Sequence, residues 1–254
     1  MAVWVVGGTT EGRKIACWLA EQHIPVILTV ATGYGAAVLP SLSYLTVVVG
    51  RLAVAEMDAF LAQYQPVLVI DATHPYAREV TINVQQACQR GGYDYIRVVR
   101  PKSESGDWLT VDSATEAVEV LSHTQGNIFL TTGSKDLEFF ARLPDYKERI
   151  FLRILPSRLS LDKALTLGFP PSRIICMQGP FSQALNQLMF QECKAMYVVT
   201  KDSGITGGFP EKVRAAKEAG SLLMVLKRTE EDGILYREIV DKVQRYFPHI
   251  GGPV

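Results

Sequence analysis

Short apolar runs alternate with amphipathic stretches along almost the whole chain, and this rhythm restricts the fold more than any other feature. Unbroken runs of aliphatic residues read as buried strands. Stretches with apolar residues three and four apart read as helices packed on one face. Strands are expected at Val3–Val6, Val26–Val30, Leu45–Val49, Val67–Ile70 and Tyr95–Val99, with helices at Gly12–Gln22 and Glu79–Arg90. Arg100–Gly106 is polar, contains Pro101 and Gly106, and reads as a linker. Trp108–Val111 reads as a short strand, and Ser113-Ala-Thr-Glu116 as a capping box that opens a helix. Strands at Ile128–Thr131, Ile150–Leu155, Arg173–Met177, Met196–Thr200 and Leu222–Leu226 then alternate with helices at Asp136–Arg142, Leu159–Leu167, Gln183–Glu192 and Pro210–Ala219. Leu235–Phe247 reads as a closing helix able to dock on either half. Such alternation builds a parallel, doubly wound α/β sheet, here in two halves without a sequence repeat.

Composition removes several classes of function. The 254 residues carry 26 basic and 26 acidic side chains, so no net field draws the chain to nucleic acid or anionic lipid. No apolar run is long enough for a membrane span. The N-terminus runs from a strand straight into glycines, unlike a signal peptide, and a cytoplasmic protein is expected. Cys17, Cys88, Cys176 and Cys193 are widely separated in apolar settings and read as small buried residues in a reducing compartment. Without Cys-x-x-Cys or a Cys/His cluster, neither a metal site nor a disulfide is expected.

The chemistry lies where apolar strands end in polar loops, because ligands of open α/β sheets bind beyond the carboxyl ends of the strands. The most specific such loop is Asp71-Ala-Thr-His-Pro-Tyr-Ala77. Of four histidines, only His74 stands there. His23 and His123 close helices, where a cation suits the dipole, and His249 lies in the tail. The first strand ends in Gly7-Gly-Thr-Thr-Glu-Gly-Arg13, a turn whose glycines let backbone N–H groups approach a pyrophosphate at a helix N-terminus. Thr9 occupies the middle glycine position of the usual pattern. The second strand ends without the acidic residue that a NAD ribose needs. NADP remains compatible, with Arg13 and Arg51 as candidates for its 2′-phosphate. Three further loops combine glycine with hydroxyl or cationic groups: Thr131-Thr-Gly-Ser-Lys135, Gln178-Gly-Pro-Phe-Ser182 and Thr200-Lys-Asp-Ser-Gly204, the last continuing to Thr206-Gly-Gly-Phe-Pro-Glu-Lys212.

Together these blocks resemble the precorrin-6A reductase family, which includes the cobalt-precorrin-6A reductases of corrin-ring (cobalamin) biosynthesis. The resemblance spans nearly the whole chain. It implies two Rossmann-like domains with parallel sheets, residues 1–100 and 101–254, with an inter-domain cleft holding NADPH and the tetrapyrrole. It implies that hydride passes to C19 of precorrin-6A or cobalt-precorrin-6A and a proton to C18. Catalytic candidates are then His74, as proton donor oriented by Asp71, and Tyr76. Cofactor candidates are Gly7, Gly8, Thr9, Thr10, Gly12, Arg13, Arg51, Thr73, Gly133 and Ser134. Because the substrate is acid-rich and the chain neutral, positive charge must be local. Arg78, Lys135, Lys201 and Lys212, with Ser203 and Gly204, are the substrate candidates. A monomer or small homo-oligomer is expected.

Three rivals compete. A short-chain dehydrogenase needs a catalytic Tyr-x-x-x-Lys pair and is set aside for want of one. An NADP-binding sensor or regulatory module has no need of a His-Asp-Tyr loop. A tetrapyrrole methyltransferase of the same pathway would bind a methyl donor in place of NADPH.

Overall fold

The structure, a computed structural model, describes residues 1–101, 106–228 and 231–251. The chain divides into two compact units, Met1–Pro101 with Glu230–Val254, and Lys102–Thr229. The first unit runs β1 (Val3–Val6), α1 (Thr10–Glu21), β2 (Val26–Val30), α2 (Gly33–Ala37), β3 (Leu45–Val49), α3 (Val54–Tyr64), β4 (Leu68–Asp71), α4 (Arg78–Gly91) and β5 (Tyr95–Val99). The second runs β6 (Leu109–Val111), α5 (Ala114–Ser122), β7 (Asn127–Leu130), α6 (Leu137–Phe140), α7 (Tyr146–Arg149), β8 (Ile150–Ile154), α8 (Arg158–Thr166), β9 (Ile174–Cys176), α9 (Gln183–Glu192), β10 (Ala195–Lys201), α10 (Phe209–Glu218) and β11 (Leu222–Leu226). The chain then returns to the first unit as β12 (Ile234–Leu235) and α11 (Ile239–Gln244).

Each unit holds one six-stranded parallel sheet, in the orders β12-β5-β4-β1-β2-β3 and β6-β11-β10-β7-β8-β9. The first sheet starts near its middle at β1, winds outward through β2 and β3, and then crosses to wind the other way. The second starts at its edge with β6, enters the middle at β7, winds out through β8 and β9, and crosses back to β10 and β11. The crossing places a switch point between β1 and β4 in the first unit and between β7 and β10 in the second. The sixth strand lies beside the fifth in each sheet. In the first unit it comes from the far end of the chain, where Ile234 pairs with Val98 and Leu235 with Val99.

Alternation along the strands divides each core in two. Val3 and Val5 join Ile15 and Leu19 of α1 and Ile239 and Val243 of α11, whereas Trp4 and Val6 face Met57, Phe60 and Leu61 of α3 and Val84 of α4. Trp4 is fully buried, donates its indole N–H to Thr29 Oγ1 at 3.0 Å, and stacks obliquely on Phe60 at 4.7 Å. Burial of a side chain that size is worth about 3 kcal/mol. In the second unit, Ile128 and Leu130 meet Leu121, Leu137 and Ala164. Phe129 points to the opposite face against Phe190 and Phe209.

The expected strands are present, and four differences have clear causes. The closing segment belongs to the first unit, not to residues 101–254, because Ile239, Val243 and Ile250 complete its core. Its helix is short, since residues 234–235 extend to pair with β5. α3 has no counterpart among the expected helices, although Met57, Phe60 and Leu61 have helical spacing and are buried. Cys176 is exposed rather than buried, at the end of an edge strand. Part of the expected linker, residues 102–105, lies outside the described residues.

Candidate functional site

In the first unit, the glycine loop and the Asp71 loop come together at the switch point because β1 and β4 are adjacent, with Val6 opposite Asp71. Thr9 ties them. It caps α1 by accepting the Gly12 N–H at 3.1 Å and donates to the Ala72 carbonyl at 2.6 Å. Gly8 has φ +107°, which favours glycine. At Gly12 a Cβ would sit 3.2 Å from Gly7 Cα and 3.3 Å from Ala72 Cβ, so glycine permits the close helix–strand contact. A small cleft opens here, lined by Thr9, Glu11, Ala72, Thr73, Pro75, Val98 and Arg100. Glu11, in the first turn of α1, forms an ion pair with Arg100 at 2.7 Å. The pair offsets a carboxylate that would otherwise repel an anion at this helix end.

Asp71 does not orient His74. Its carboxylate is fully buried: Oδ1 accepts from the Thr73 N–H at 3.0 Å and from Arg97 Nη1 at 3.0 Å, and Oδ2 accepts from the Tyr95 hydroxyl at 3.0 Å. Arg97 also donates to the Thr73 carbonyl and hydroxyl and pairs with Glu231 at 2.8 Å. Burial, reinforced by the charge and hydrogen bond of Asp71, pushes the Tyr95 phenol up, so it remains a donor. Asp71 is thus a structural anchor. The Thr73 hydroxyl is committed to Arg97 and Thr81, and its backbone N–H and carbonyl to Asp71 and Arg97, so Thr73 is a structural residue of this loop.

His74 is exposed on a turn closed by the Ala77 N–H donating to the His74 carbonyl at 2.8 Å, with Pro75 in the second position. Its Nδ1 accepts the Tyr76 N–H at 3.3 Å, which assigns the neutral ring proton to Nε2. The His74 and Tyr76 rings lie 5.8 Å apart. Arg78 is exposed at the start of α4. Arg13 is half-buried on α1, beside Thr10, which opens the helix. Arg51 is exposed beyond β3, two strands from the glycine loop.

In the second unit, the loops after β7 and β10 meet at the corresponding switch point. Thr131 bonds Val199, and Lys201 is paired with Asp136 at 2.6 Å, which offsets its charge. Gly133 has φ +78°, Ser134 donates to Ser160 at 3.0 Å, and Lys135 is exposed. Gly204 has φ +67° and donates its N–H to Asp202 at 3.1 Å. Ser203 donates to the Gly207 carbonyl and accepts from Lys212 Nζ at 3.4 Å. Lys212 is buried, and its pKa falls to about 8 through burial and the nearby charge of Arg153. Arg97 and Arg153 were missed in the sequence, although each is a lone charge in an otherwise apolar strand and such a cation needs an explanation.

Contrary to the sequence expectation, one Tyr-x-x-x-Lys spacing is present: Tyr197 stands four residues before Lys201. Both lie on β10, where that interval spans roughly 13 Å, so they do not form the pair a short-chain dehydrogenase requires.

Fold and site define a two-unit, doubly wound α/β protein whose polar groups gather at the strand ends of each sheet. Residues 2–249 match the family model described as Precorrin-6x reductase CbiJ/CobK. The chain is 36% identical over 234 residues to the cobalt-precorrin-6A reductase of Methanothermobacter thermautotrophicus, covering 91% of this chain and 77% of that one. It is 34% identical to the cobalt-precorrin-6A reductase of Salmonella typhimurium over 89% of this chain and 87% of that one. A solved structure, CobK precorrin-6A reductase, superposes with TM-score 0.79 over 99% of this chain and 100% of that one at 22% identity. The chain belongs to the precorrin-6x reductase family.

Proposed function

We propose that this protein reduces cobalt-precorrin-6A to cobalt-precorrin-6B with NADPH. The family match over residues 2–249 carries the reading, and the relatives above 30% identity are named for the cobalt-containing substrate. The glycine cradle fits a dinucleotide: a Cβ at Gly8 would meet nothing within 4 Å, so the turn is open to a ligand beside the N-terminus of α1. The strand end after β2 has Ala31 and Thr32 in place of an acid, which suits a 2′-phosphate, with Arg51 one strand away. Bound NADPH would supply the hydride for C19 of the macrocycle.

The chain then has to hold the substrate's acid groups and deliver a proton to C18. His74 is the proton-donor candidate as the imidazole of this strand-end loop, and Nε2 is the atom that would pass the proton, because the Tyr76 N–H occupies Nδ1. Arg78, Lys135 and Lys212 are the cations for the substrate's carboxylates, with Lys201 weakened by Asp136.

Anaerobic incubation with NADPH and cobalt-precorrin-6A, followed by loss of NADPH absorbance, tests the activity. NADPH binding without oxidation would point to the sensor, and preferential binding of the methyl donor to the methyltransferase. His74→Asn is expected to slow reduction by about a hundred-fold with NADPH affinity retained. An unchanged rate removes His74 from the reaction.

A further inference from the structure

Arg97 and Arg153 occupy similar positions near the ends of apolar strands, but their partners differ. Arg97 has two carboxylates. Arg153, only 7% exposed, has none: Nη1 donates to Asn186 Oδ1 at 2.9 Å, and the guanidinium lies 4.0 Å over the Phe181 ring. Lys212, 8% exposed, has the Ser203 hydroxyl and no ion pair. Among the described residues, neither cation appears in any salt bridge of the second unit. Each stands within the other's field, since the charge of Arg153 helps to depress Lys212, while the charges of Asp202 and Glu211 act on Lys212 in the opposite sense.

The backbone makes this arrangement more positive. Asn186 and Lys212 are each the fourth residue of a ten-residue helix, α9 and α10, so both helix N-termini open onto the cluster. A helix N-terminus disfavours a cation and favours an anion. The two loops above are in contact, because a Cβ at Gly208 would lie 3.5 Å from Pro180. Two buried like charges beside two helix N-termini are costly in an empty protein and favourable around an anion.

We propose that Arg153 and Lys212, beneath the loops at 179–182 and 202–208, form a carboxylate site that takes one acid side chain of the tetrapyrrole. This deepens, and rests on, the proposed function. The test compares wild type with Lys212→Met and Arg153→Gln, titrating cobalt-precorrin-6A without NADPH, and NADP⁺ separately. The expected result is tetrapyrrole affinity weakened about ten-fold or more in both variants, NADP⁺ affinity within about two-fold, and ligand-free Lys212→Met melting no lower than wild type. Unchanged tetrapyrrole affinity with a lower melting point would make these cations structural and overturn the proposal. Loss of NADP⁺ affinity instead would assign the site to a cofactor phosphate and overturn the carboxylate. If wild type does not bind the tetrapyrrole, the functional reading fails, and inorganic phosphate decides the anion site separately. A melting point raised in wild type but not in Lys212→Met supports it, and an equal response in both overturns it.

Discussion

Replacing Asp71 by asparagine leaves the Thr73 and Tyr95 contacts room to form but removes the more deeply buried of the two charges that balance Arg97. Breaking a buried pair from one side costs about 3–5 kcal/mol, so Asp71→Asn is expected to lower the urea midpoint sharply. A stable Asp71→Asn with impaired turnover would return Asp71 to the reaction. Lys212 makes the opposite prediction. Its ordinary value of 10.5 falls to about 8 in the fold, so between those values the unfolded chain binds more protons and stability rises with pH. Below about 8 the full cost is present. Lys212→Met is therefore expected to exceed wild type by on the order of 2–3 kcal/mol at neutral pH, with the gap closing towards pH 10.5. Denaturant titrations across that range check it. Residue identity marked the polar loops, but partnership between residues distant in sequence was not legible. Asp71 and His74 are near neighbours in the chain, yet the strand geometry turns Asp71 toward Arg97 and Tyr95.

Elements were legible where hydrophobic periodicity was strong. The buried runs of β1, β2, β4 and β10 were plain because these strands lie inside their parallel sheets, covered on both faces. β12 was hidden because two residues carry no periodicity, and its pairing depends on β5 far upstream. The capping box was half right: Ser113 accepts the Glu116 N–H at 3.1 Å, but Glu116 reaches back to the Asp112 N–H at 2.6 Å. Thr9 shows what one cap can do for a site, since it both starts α1 and ties the loop to β4. Thr9→Val is expected to cost about 1–2 kcal/mol in thermal unfolding and to weaken NADPH binding in a fluorescence titration. NADPH affinity equal to wild type would separate the loop from the cofactor.

For the molecule as a whole, the second unit is an insertion between the fifth and sixth strands of the first sheet. Chain order suggested two consecutive halves. Only three-dimensional pairing shows that residues 231–251 complete the earlier one. Residues 1–101 alone should therefore fail to fold cooperatively, whereas the same segment joined by a short linker to 230–254 should do so, by circular dichroism and denaturant titration. Cooperative folding of 1–101 alone would show that β12 and α11 are dispensable.

The late arrival of β12 also has a consequence in time. Domains usually mature from the N-terminus as a chain emerges during synthesis. Here the contiguous second unit has all its strands before Ile234 and Leu235 exist to close the first sheet. The glycine loop is made before the second unit, yet its own unit is completed after it. A nascent chain lacking Ile234 and Leu235 would carry one finished unit and one whose sheet still waits for its last strand.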